Sequence, residues 1–140
     1  MEKLRFFFLG LFFVDLVLHI FISLGRYQPS MLISTTFTAL MFIAWFYIMR
    51  SIRALEQQKN DINPLVKLFT TLPYPMRLTA YFFIVYALAN FILTLEMHTA
   101  PGLIDTHPSF LKLRGISGFW IMFSFLAFIF GGRNGLVKKR

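Results

Sequence analysis

The chain contains no cysteine and only three histidines in 140 residues. Without a thiol there is no thiolate nucleophile, no disulfide exchange, no iron–sulfur cluster and no cysteine-ligated zinc. Charge is scarce as well: Asp, Glu, Lys and Arg make up 14% of residues, against roughly a quarter in ordinary soluble domains. The six acidic residues include no pair spaced for acid–base work on one helix. HExxH and GxSxG patterns are missing. An internal repeat is missing too, which weighs against an inverted-repeat transporter within one chain. These absences weigh against an enzyme without excluding one built on His19 and His98.

What the chain has in excess is apolar surface. Hydrophobic residues make up 57% and aromatic residues 19%, with nineteen Phe. That is more than one small water-soluble core buries. Disordered, collagen-like and disulfide-stapled classes are excluded by the same composition. The length suits one domain, residues 1–140.

Four apolar runs, Leu4–Leu24, Met31–Met49, Leu78–Met97 and Ile116–Gly131, approach the roughly 20 residues that a membrane span needs. They predict an all-α fold, a polytopic four-transmembrane-helix bundle with an inner loop over 50–77 and an outer loop over 98–114. The fourth run is the shortest, and Arg114 and Arg133 bracket it, placed to snorkel to opposite interfaces. Lys3 and Arg5 ahead of FFFLGLFFV imitate a signal peptide. Asp15 and His19 interrupt that run, however, and no small-x-small cleavage site follows, so a retained first helix is expected.

The formal charge of +8 is a matter of distribution. With the N-terminus inside, Lys3, Arg5, Arg50, Arg53, Lys59, Lys67, Arg77, Arg133, Lys138, Lys139 and Arg140 fall on the inner side. Only Arg26, Lys112 and Arg114 fall outside. Eleven against three in short loops predicts both termini cytoplasmic, in a plasma or inner membrane. Anionic lipid at the inner surface favours the same arrangement. No basic-aromatic platform stands out, so no nucleic-acid partner is expected.

Between the second and third runs, RSIRALEQQKNDINP is a polar stretch able to prolong the second helix by two or three turns. Pro64 is expected to end anything helical, with LVKLFTTL lying in the interface beyond it. Pro73 and Pro75 mark the start of the third helix. Ala80, Ala87 and Thr94 recur at spacing seven on that helix, and Ser117, Ser124 and Gly131 recur likewise on the fourth. Two stripes of small residues predict that these helices dock on each other.

Depth singles out the polar residues. At ~1.5 Å rise per residue, Asp15, Asn90, Thr38 and Ser124 fall near the span centres, with His19, Ser34, Thr35 and Thr94 roughly 7–9 Å outward. Glu96, His98, Ser117 and His107 fall near the outer surface. If these faces converge, they line a polar cleft open to the outside. Its candidate ligand, ion or proton site is Asp15, His19, Asn90, Thr38, Thr35 and Thr94.

An ionised Asp at a helix centre costs about 2.5–3.5 kcal/mol, so Asp15 is expected to face protein rather than lipid. His19 stands one turn along at i+4, which makes the two a candidate proton-linked pair. The structural reading is that Asp15 hydrogen-bonds Asn90 or Thr38 and fixes helix register. Haem or a divalent metal would draw on His19, His98, Glu96 and His107, with a bis-His haem between His19 and His98. No dense ligand motif supports either, and no cofactor is expected. Asp105, His107 and Ser109 stand close together in GLIDTHPSFLKLRG, which reads as an ordinary outer loop.

The reading of function that follows is a non-enzymatic component embedded in the lipid bilayer. It acts by association, as an accessory subunit among other membrane subunits or as a homo-oligomer. The alternatives are a small proton- or ion-coupled transporter or channel built on Asp15, His19 and Asn90, and a haem- or metal-binding membrane subunit.

Overall fold

The computed structural model describes residues 2–56, 63–99 and 108–131. Five helices occupy them: α1 (Glu2–Ser23), α2 (Met31–Glu56), α3 (Pro64–Thr70), α4 (Tyr74–Thr99) and α5 (Pro108–Gly131). No strand occurs among the described residues. All but α3 are long and apolar enough to cross a membrane.

Helix ends follow local chemistry. α1 stops in a Schellman motif: Gly25 N–H donates to the Ile22 carbonyl at 3.1 Å and Arg26 N–H to the Phe21 carbonyl at 3.0 Å. The motif needs a left-handed residue, and Gly25 takes φ 68°. Ser30 then opens α2 by accepting from Ile33 N–H at 3.4 Å. Proline marks the first turn of the other three helices, at Pro64, Pro75 and Pro108, where its missing N–H has no intrahelical partner to lose.

Two expectations change on this account. Pro64 opens a helix rather than only ending one, because Asn63 caps it by accepting from Leu65 N–H at 3.0 Å. The outer loop is shorter than 98–114, since α4 continues to Thr99 and α5 begins at Pro108. Polar residues at these ends extend the helices beyond the apolar runs. α2 continues through Arg50 and Arg53 to Glu56, the prolongation by about two turns that the polar stretch after Met49 predicts.

The bundle is built around α5. It packs against α1, α4 and α2, and two-thirds (67%) of its apolar span is buried, against 28%, 22% and 11% for those three. The outer helices meet one another mainly through ring contacts. Phe12 of α1, Phe83 of α4 and Phe125 of α5 form a mutual triad with centroids 5.1–5.4 Å apart. Phe8 stacks on Tyr47, and Phe37 of α2 stacks on Trp120 of α5. α3 closes one end, its Phe69 stacked on Tyr81 and edge-on to Phe130.

Candidate functional site

Above the Phe12–Phe83–Phe125 triad, the seam between α1, α4 and α5 turns polar. Asp15 is buried, and the Ser124 hydroxyl donates to its Oδ2 at 2.5 Å. Its Oδ1 is buried with no hydrogen-bond partner among the described residues. One turn along α1, His19 joins the other two helices. Its Nδ1 lies 2.8 Å from Ser117 Oγ on α5, and its Nε2 lies 2.5 Å from the Tyr86 hydroxyl on α4. Ser23 on α1 approaches the same Nε2 at 3.2 Å.

The donors in this chain can be ordered. Ser117 Oγ–H donates to the Arg114 carbonyl at 3.0 Å, so its oxygen accepts from His19 Nδ1–H. That assignment leaves Nε2 as the acceptor for the Tyr86 hydroxyl. The chain therefore runs from Tyr86 through the imidazole and Ser117 to the Arg114 carbonyl. Asn90 of α4 donates to that carbonyl as well, at 2.8 Å, and the Thr94 hydroxyl donates to the Asn90 carbonyl at 2.7 Å.

Two glycines let α4 come this close. A Cβ at Gly118 would stand 3.2 Å from Asn90 Nδ2 and 3.6 Å from Ala87 Cα. A Cβ at Gly115 would stand 3.3 Å from the Thr94 side chain. The α4–α5 contact thus sets Ala87, Asn90 and Thr94 against Gly115 and Gly118, while Ser117 and Ser124 turn to α1. Ala80 and Ala87 are fully buried, and Gly131 is the last residue of α5.

The remaining site residues are placed as follows. Asp15, His19, Asn90 and Thr94 belong to the seam, but Asp15 bonds neither His19, Asn90 nor Thr38. Thr38 is half-buried and donates to the Ser34 carbonyl of its own helix at 2.8 Å, and Thr35 is exposed. The polar set accordingly comes from three helices, since α2 presents Phe37 to α5. Its members are covered by packing rather than lining an open cleft. The side chains of Glu96 and His98, and all of His107, lie outside the described residues.

Among the described residues no three His, Asp or Glu gather as a metal-ligand set. His19, the histidine shared by the haem and metal readings, has both ring nitrogens engaged by Ser117 and Tyr86.

Sequence reasoning missed Tyr86 as a partner of His19, Trp120 as the ring behind Phe37, and the two glycines. A tyrosine near a helix midpoint reaches further than its Cα depth implies. The spacing of Gly115 and Gly118 around Ser117 was the available signal for a close contact. No protein family, curated protein or solved structure matches the chain.

Proposed function

We propose that the protein is an integral membrane protein whose four long helices all span the bilayer. Both termini lie in the cytoplasm, in a plasma or inner membrane, and the protein acts by association rather than by catalysis. It serves as an accessory subunit of a membrane complex or assembles with copies of itself. The observation that carries this reading is how the polar groups are used. The groups best suited to hold a solute (His19, Ser117, Asn90 and Thr94) are spent on side-chain and carbonyl partners inside the bundle. The outward faces are dominated by large apolar side chains, such as Trp45 and Phe46 on α2 and Phe82 and Leu88 on α4. Lipid and neighbouring helices accept such faces, whereas water does not.

Photo-cross-linking tests it. A benzophenone side chain is placed at Trp45 or at Phe82 in the full-length protein in its native membrane. A discrete protein adduct from one face is expected. Lipid adducts and monomer from both faces would contradict the proposal.

One observation favours a second reading, a proton- or ion-coupled transporter or channel: the buried Oδ1 of Asp15 lacks a partner. In proteoliposomes this reading requires a proton flux above that of empty vesicles. Asp15→Asn should abolish that flux and leave folding intact. Flux equal to empty vesicles, or equal loss of folding and flux, removes it.

A further inference from the structure

The seam between α1 and α2 holds an open groove of about 430 Å³, lined by Leu4, Phe8, Phe42, Ile43, Phe46, Tyr47 and Arg50. Phe42 and Arg50 are eight residues apart on one helix, so the groove runs about 12 Å along α2. Its wall is apolar except at the Arg50 end. There Arg50 is exposed and forms no ion pair among the described residues, while exposed Arg53 follows it by three residues and exposed Lys3 precedes the lining residue Leu4. A groove with an alkyl wall and a cationic mouth matches one class of molecule.

We infer that this groove seats one acyl chain of an anionic phospholipid, with the Arg50 guanidinium on the headgroup phosphate. Guanidinium is the side chain best suited to phosphate, because its planar fork donates two parallel hydrogen bonds. Arg50, the one charged residue of the lining, stands at one end of the groove, which suits a headgroup with its chain lying alongside better than a helix that is apolar along its whole length. The position also agrees with the charge. Arg50 belongs to the basic side of the chain, which faces the leaflet that carries anionic lipid. The inference rests on the membrane reading given under Proposed function.

Native mass spectrometry on the full chain in mild detergent, titrated with phosphatidylglycerol or phosphatidylcholine, tests the assignment. We expect phosphatidylglycerol to be retained roughly five- to tenfold more than phosphatidylcholine, the scale of one basic group at an anionic surface. Arg50→Gln should remove the preference. Arg53→Gln, one turn away and outside the groove lining, should leave most of it. Ile43→Trp, which fills the groove, should reduce retention of both lipids. Free glycerol phosphate should not displace the bound lipid. Equal loss in the Arg50 and Arg53 variants would show a diffuse charge effect and overturn the proposal, as would unchanged retention in Ile43→Trp. Alkaline carbonate extraction of native membranes separates the two failures. A chain that stays in the membrane but shows no lipid preference sinks only the groove, whereas a chain that extracts sinks the membrane reading beneath it.

Discussion

A buried carboxyl group between apolar helices is held by the donors it finds, and Asp15 has found Ser124. The bond joins α1 to the central helix. Interhelical hydrogen bonds in membrane bundles are worth about 0.6 kcal/mol on average and up to ~1.7. A double-mutant cycle with Asp15→Leu, which has no acceptor, and Ser124→Ala, read by steric trapping in bicelles, should give a coupling energy within that range. Additive losses would mean that the contact does not hold the helices. Tyr86→Phe removes the closer donor to His19 Nε2 and leaves Ser23, at 3.2 Å, as the substitute. Its expected cost is about 1 kcal/mol, and His19→Phe beside it should cost little more than His19→Phe alone. Asp15, His19 and Asn90 were legible in the sequence because a polar side chain is conspicuous in an apolar run. Their partners were not, because a partner depends on how each helix is rotated about its axis. That rotation is set by packing, and the Asp15 bond to Ser124 rather than Asn90 is the result.

At the scale of the helices, the α4–α5 contact depends on missing side chains. Gly118→Leu must push Asn90 off the Arg114 carbonyl, and overpacking of this kind costs about 1–3 kcal/mol. Gly10 is the control, since a Cβ there meets nothing within 4 Å. Gly10→Ala should be neutral or stabilising by up to about 1 kcal/mol, through backbone entropy alone. Equal losses at both positions would refute the close-contact account. Asn63→Ala should cost α3 about 1 kcal/mol by removing its cap, seen as faster amide exchange over residues 64–70 with the long helices unaffected. The apolar runs gave away the four long helices, but not which one lies at the centre. All four are similarly apolar, so periodicity does not rank them. The clue was composition: α5 carries Gly115, Ser117, Gly118, Ser124 and Ala127, small residues on several faces, as a helix with three neighbours requires. Pro64 was misread because proline is acceptable at the start of a helix and disruptive further in.

For the whole molecule, the proposal joins a topology to a mode of action. The absence of cysteine makes the topology simple to test, because any introduced cysteine is the only thiol. A cysteine replacing Gln28, between α1 and α2, should react with a membrane-impermeant maleimide in intact cells. One replacing Thr70, at the end of α3, should react only after permeabilisation. The reverse pattern would invert the orientation drawn from eleven basic residues against three. Mode of action is the central claim, and the mass of the particle the protein forms tests it most directly. The protein should be drawn from its own membrane in a mild detergent and weighed intact by native mass spectrometry. The account predicts a particle heavier than one chain, made either of this chain with different subunits or of several copies of it. A single chain carrying nothing but lipid would contradict it.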